Sequence, residues 1–164
     1  MPVNLAKLLA ASTSAFAPAL LPVQAGLFLL LLLAVSICDL KWREIPDGLQ
    51  LAIAALTFLG FSPWNLLGIL GALPYLAIAL FFGGMDGMGG GDIKLAAATG
   101  VVLGLPASLA ASLLGLGSMT IVCTIITVNR RLHGQKKKIP FPVGPFLAAG
   151  SAAAYFMKIG GLIL

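Results

Sequence analysis

Asp39 closes a long apolar run, and Asp92 ends a glycine-saturated turn, Gly87 Met88 Gly89 Gly90 Gly91 Asp92. Ionisable side chains at the edge of hydrocarbon are costly and mark function. Two carboxyl groups brought close in partly apolar surroundings do not both ionise cheaply, so such a pair shares a proton. The ionised member can take a proton from a water as it attacks a peptide carbonyl, while the protonated member donates to the carbonyl oxygen or the leaving nitrogen. This is amide hydrolysis by paired aspartates, and it requires no cofactor. The glycines suit it, because a Gly-rich turn approaches another chain closely and leaves N–H groups free to pair with an extended substrate. Asp92 would open a helix, where capping and the helix dipole both favour a carboxylate. Taken alone, the turn reads equally well as a flexible loop with an ordinary N-cap.

The elements that must position these residues are membrane helices. The chain of 164 residues is 60% hydrophobic and 9% charged, with a mean hydropathy of +1.07, which excludes a soluble domain. Its net charge of +5 is gathered between apolar runs, as the positive-inside rule arranges it, so membrane lipids are the expected partner and nucleic acid is not. Cys38 and Cys123 both lie inside apolar segments without CxxC spacing, which indicates neither a disulfide framework nor zinc. The five acids show no tight ligand spacing, so no metal is expected.

Six spans are expected, near Val23 to Leu40, Asp47 to Phe61, Trp64 to Phe82, Asp92 to Leu105, Ala107 to Val128 and Phe141 to Leu164. The second and fourth are short and need a thinned bilayer or burial among longer helices. Residues 1–22 read as an interfacial or extracytoplasmic segment, or an added partial span, rather than a cleaved signal, and 23–164 as the six-helix domain. The GxxxG of Gly100 and Gly104 and the small residues from Ala148 to Ala154 allow close helix contact. Lys41 and Arg43, Lys94, and the run from Arg130 to Lys138 fall in loops on one side of six alternating spans, which makes that side cytoplasmic. Asp39 at the end of an odd span and Asp92 at the start of an even one therefore reach the same face at the same depth.

With both aspartates on one face, the flanking residues become specific. Asp39 Leu40 Lys41 Trp42 Arg43 Glu44 Ile45 Pro46 Asp47, followed by Gly89 Gly90 Gly91 Asp92 Ile93 Lys94 Leu95, resembles the paired signature of the type IV prepilin peptidases, membrane aspartic proteases of the GxGD type. Pro140 Phe141 Pro142 Val143 Gly144 Pro145 is similar to that family's Pro-Phe-Gly-Pro segment, with Pro142 and Val143 extra. The resemblance implies that Asp39 and Asp92 are the catalytic pair. It also implies cleavage after a glycine that removes the short basic leader of a type IV pilin-like precursor, in a prokaryotic cytoplasmic membrane. Ile45, Pro46, Gly89, Gly90, Gly91, Lys94, Pro140, Gly144 and Pro145 are then candidates for the substrate-binding or active-site loops. Many relatives of this kind add an N-methyltransferase domain with paired cysteines, and this chain is expected to act as peptidase only.

Several residues keep two readings. Glu44, Asp47 and Asp86 either attract a basic leader or are solvated loop acids or partners of Lys41 and Arg43. Lys94 either biases Asp92 toward ionisation or snorkels to the headgroups. Pro140, Pro142 and Pro145 either shape an extended substrate segment or simply start the last helix. The principal rival to the whole reading is a small proton- or cation-coupled transporter with Asp39 and Asp92 as relay carboxylates, and a second is a scaffold subunit in which they merely cap helices.

Overall fold

A computed structural model describes residues 5–60, 62–81, 89–133 and 142–162, with side chains from residue 21 onward. All regular structure among the described residues is helical: α1 (Leu5–Trp42), α2 (Asp47–Ala55), α3 (Leu73–Phe81), α4 (Gly90–Leu103), α5 (Leu105–Leu132) and α6 (Gly144–Ile159). Two 3-10 stretches, Leu56–Gly60 and Pro63–Ala72, extend α2 and precede α3. The chain is an all-α membrane protein. Leu21–Trp42, Pro63–Phe81 and Leu105–Leu132 are each long and apolar enough to cross a bilayer.

The elements follow the expected order, and their edges move for physical reasons. α1 begins at Leu5 rather than at the expected Val23, and it carries Pro18 and Pro22 within it, which membrane helices tolerate. It turns Phe28, Leu32 and Val35 inward at helical spacing, while Leu27, Leu30, Leu33 and Ile37 stay exposed to lipid. It stops where Arg43 adopts a positive φ of 55°, a left-handed residue at the end of a helix. α6 is shorter than the expected Phe141 to Leu164: it begins at Gly144 and is closed by Gly160, with Gly161 at φ 72°.

The 3-10 stretches give length to short segments, since that helix rises about 2.0 Å per residue against about 1.5 Å. The stretch from Pro63 to Ala72 also turns Gly68 and Gly71 toward its neighbours. Gly68 and Gly100 of α4 meet backbone to backbone, so that a methyl group on either would overlap the other's carbonyl. Gly71 packs on Ser108 of α5, and its carbonyl accepts a hydrogen bond from the Ser112 hydroxyl. The expected role of Gly100 in close packing holds, but its partner is Gly68. Gly104 also sits close to that stretch, a Cβ on Gly68 coming within 3.0 Å of its carbonyl carbon, and at φ 79° it turns the chain between α4 and α5.

The short fourth helix lies inside the bundle, with Leu95, Ala96, Ala98, Thr99, Gly100, Val102 and Leu103 all buried. α5 and α6 run antiparallel, Gly150 against Ala111 and Gly115, and Gly115 against Leu147. At the end of the molecule away from the aspartates, Gln24 donates to the Leu56 carbonyl at 3.0 Å and accepts from the Tyr155 hydroxyl at 3.5 Å. This ties α1 to both the 3-10 stretch after α2 and α6. α1 and α6 are thereby clamped far from Asp39, and their other ends meet at it.

Candidate active site

Asp39 lies three residues before the end of α1, and it is 6% exposed. Its carboxylate accepts the backbone N–H of Gly144 at 2.8 Å, across 105 residues of chain. Gly144 is the first residue of α6, so its N–H has no partner within the helix, and Pro145 follows it as a residue suited to a helix start. Any side chain at 144 would enter Asp39 itself, because a Cβ there would lie 2.8 Å from Oδ2 and 3.0 Å from Cγ. Of the two readings of the proline segment, the described part is a helix start, and its first N–H points at Asp39. Pro140, the remaining candidate there, lies outside the described residues, as does Asp86.

Asp92, 7% exposed, stands in the first turn of α4. Its Oδ2 accepts the Gly89 N–H at 3.1 Å, and its own N–H donates back to the Gly89 carbonyl at 3.0 Å. The Asp92 side chain thus supplies one half of a capping box, and the glycine, having no side chain, takes the returning bond on its backbone carbonyl. Gly89 and Gly90 are exposed, and no atom lies within 4 Å of where a Gly90 side chain would begin. The two carboxylates lie at the same end of the bundle, near enough for charge on Asp39 to act on Asp92. Each carboxylate thus has a backbone donor at the N-terminal end of a different helix, where the dipole favours negative charge.

The loop after α1 completes this end of the bundle. Pro46 precedes α2 and its carbonyl accepts from Leu49 at 3.0 Å, while the Ile45 Cβ lies 3.8 Å from where a Gly91 side chain would begin. Lys94 pairs with Asp47 at 3.0 Å, with both side chains largely exposed. Asp47 thus takes Lys94 as its partner. Glu44 is exposed beside them. An apolar groove of about 500 Å³ opens next to the pair, with Gln50, Leu51, Ile69 and Val101 on its walls. Among the described residues no cluster of three or more His, Cys, Asp or Glu side chains is placed to hold a metal ion.

Two residues here were not expected from the sequence. Gln50 is 5% exposed, and its amide donates to the carbonyls of Ile45 and Gly91 at 3.3 and 3.4 Å. Tyr75 of α3 is buried against Gly115, and its hydroxyl has no hydrogen-bond partner among the described residues. Their signal is a lone polar side chain within an apolar run, Leu49 Gln50 Leu51 and Pro74 Tyr75 Leu76. Such a side chain, when buried, must find a partner or leave one wanting.

An all-helical membrane chain that brings two buried carboxylates to one end of its bundle has the groups that a membrane peptidase requires. The chain is a member of the type IV leader peptidase family, whose model matches residues 26–128. It is similar to a prepilin leader peptidase/N-methyltransferase of Burkholderia pseudomallei, at 35% identity over 136 residues, 76% of this chain and 43% of that one. A protein of the same name from Bacillus subtilis is 35% identical over 142 residues, 80% of this chain and 54% of its own. The namesake from Xanthomonas campestris pv. campestris is 30% identical over 76% of this chain and 46% of its own. The chain spans about half the length of these curated relatives. No solved structure matches it significantly. Membership in a peptidase family does not favour the transporter reading.

Proposed function

We propose that this chain is a membrane aspartic endopeptidase that cuts after a glycine to remove the short basic leader of type IV pilin-like precursors. Asp39 and Asp92 are its catalytic pair, in a prokaryotic cytoplasmic membrane with the site toward the cytoplasm. The observation that carries the reading is that two buried carboxylates far apart in sequence come together at one end of the bundle, in a chain of the leader peptidase family.

In this reaction one aspartate is ionised and the other protonated, since two adjacent carboxylates do not both carry charge. The ionised one takes a proton from a water whose oxygen adds to the scissile carbonyl carbon, and the protonated one gives its proton to the carbonyl oxygen. Collapse of the resulting diol breaks the C–N bond: the newly protonated aspartate gives its proton to the departing nitrogen, and a diol hydroxyl returns one to the other aspartate as the carbonyl re-forms. The backbone donors of Gly144 and Gly89 hold the acids in place throughout, so neither must reorganise as charge moves. The exposed Gly89 and Gly90 leave room for an extended segment of substrate to approach Asp92.

The test is reconstitution in lipid vesicles with a panel of pilin-like precursors, comparing the wild-type chain with Asp39→Asn and Asp92→Asn. A single cut after a leader glycine is expected, and each substitution should lower its rate by about 10³-fold or more. Cleavage at the wild-type rate by both variants would refute the assignment.

A further inference from the structure

Gln50 is the one polar side chain of α2 buried within the bundle, and both of its amide hydrogens are spoken for. One reaches the carbonyl of Ile45, in the loop that follows Asp39, and the other reaches the carbonyl of Gly91, the residue before Asp92. The two carbonyls belong to segments 46 residues apart (91 − 45), and a single planar amide spans them. At 3.3 and 3.4 Å both bonds are longer than the usual N–H···O distance, as catalytic-site hydrogen bonds often are before substrate binds. The two segments are close beneath the link, since a Cβ on Gly91 would stand 3.8 Å from the Ile45 Cβ.

We infer that Gln50 is a positioning residue that latches the Asp92 turn to the loop after Asp39 and so sets the separation of the two carboxylates. The inference rests on the two-aspartate reading above. Gln50 touches neither carboxylate, so its effect passes through Ile45 and Gly91. A displacement of about 1 Å between reacting groups costs rate rather than affinity. Loss of the latch should therefore appear in kcat, while KM for the precursor stays nearly constant.

The geometry offers a covalent replacement. The Ile45 Cβ lies 3.8 Å from where a Cβ on Gly91 would stand, inside the roughly 3.5–4.5 Å that a disulfide bridges. Gly91 is helical and has nothing closer than 3.8 Å, so cysteine fits there. The experiment uses the full chain with Cys38→Ala and Cys123→Ala, carrying Ile45→Cys and Gly91→Cys, with Gln50 intact or as Gln50→Ala or Gln50→Glu. Each protein is assayed on a pilin-like precursor when reduced and when oxidised, and bridge formation is read by mass.

With Gln50 intact, the bridge should form and the oxidised and reduced kcat should agree within about threefold. In Gln50→Ala and Gln50→Glu the reduced kcat should fall by about tenfold or more, with KM changed less than threefold, and oxidation should restore it. Wild-type kcat in both reduced variants, or a low kcat that persists once the bridge has formed, overturns the inference. So does failure of the bridge to form with Gln50 intact. Asp39→Asn and Asp92→Asn in the same background separate the two claims: they should be inactive in both redox states, and their cleavage would instead sink the catalytic pair.

Discussion

At the scale of single residues, what the sequence shows and what it hides divide by how far the information travels. Asp39 and Asp92 are legible because a carboxylate in an apolar run is anomalous where it stands, and Ile45–Pro46 and the glycines add a local pattern. Gly144 is legible as part of a motif, but its task is not, because the Asp39 it holds is 105 residues away. The contact makes a sharp prediction. Gly144→Ala places a methyl group 2.8–3.0 Å from the Asp39 carboxylate, so one of them must move. Gly26→Ala adds the same group where nothing lies within 4 Å. Precursor cleavage should fall by about tenfold or more in Gly144→Ala and stay within about twofold in Gly26→Ala, where the helix gains from losing a glycine. Equal rates for the two would show that Asp39 does not depend on a bare backbone at 144. Gln50 was missed for the same reason as the partner of Gly144: its importance lies in Gly91, 41 residues on.

At the scale of elements, hydropathy finds helices well and finds their ends poorly, because the ends are set by contacts and by backbone dihedrals. Arg43 ends α1 with a positive φ that no residue preference signals, and the 3-10 stretch from Pro63 to Ala72 reads in sequence as ordinary helix. α4 shows how an end is secured. Its last carbonyls at Val102 and Leu103 accept the Lys158 ammonium of α6 at 3.4 and 2.7 Å, and a cation at a helix C-terminus also suits the dipole. Lys158→Met keeps the stem and removes the charge. It should lower stability by about 1–2 kcal/mol, read as a lower midpoint of thermal unfolding in detergent, with no change in KM. By contrast, Lys94→Ala should cost under about 0.5 kcal/mol, since its pairing with Asp47 is exposed to water. Gly100→Ala belongs to neither class: with the Gly68 backbone in the way, it should be the most damaging of the three, at about 2 kcal/mol or more.

At the scale of the whole molecule, helix parity is what brings the site together. α1 ends at it, while α2, α4 and α6 begin at it, and the contacts among Asp39, Gly144, Gln50 and Gly91 join all four there. The charges follow the same division. Lys41, Arg43 and Lys94 stand at the site's end of the bundle, whereas Lys158 at the other end is drawn in by the carbonyls of α4. A cation neutralised by helix carbonyls contributes little to an outside charge, so the positive-inside rule acts on the site's end, which supports the cytoplasmic orientation proposed above. This can be checked with single cysteines in a chain lacking Cys38 and Cys123. Glu44→Cys reports the site's end, and Pro106→Cys and Gly160→Cys report the far end, all three being exposed positions. A membrane-impermeant maleimide added to spheroplasts should label positions 106 and 160 and spare 44, and inverted vesicles should give the reverse. Labelling of position 44 from outside would turn the bundle over and place the aspartates on the far side of the membrane from the basic leader they are proposed to release.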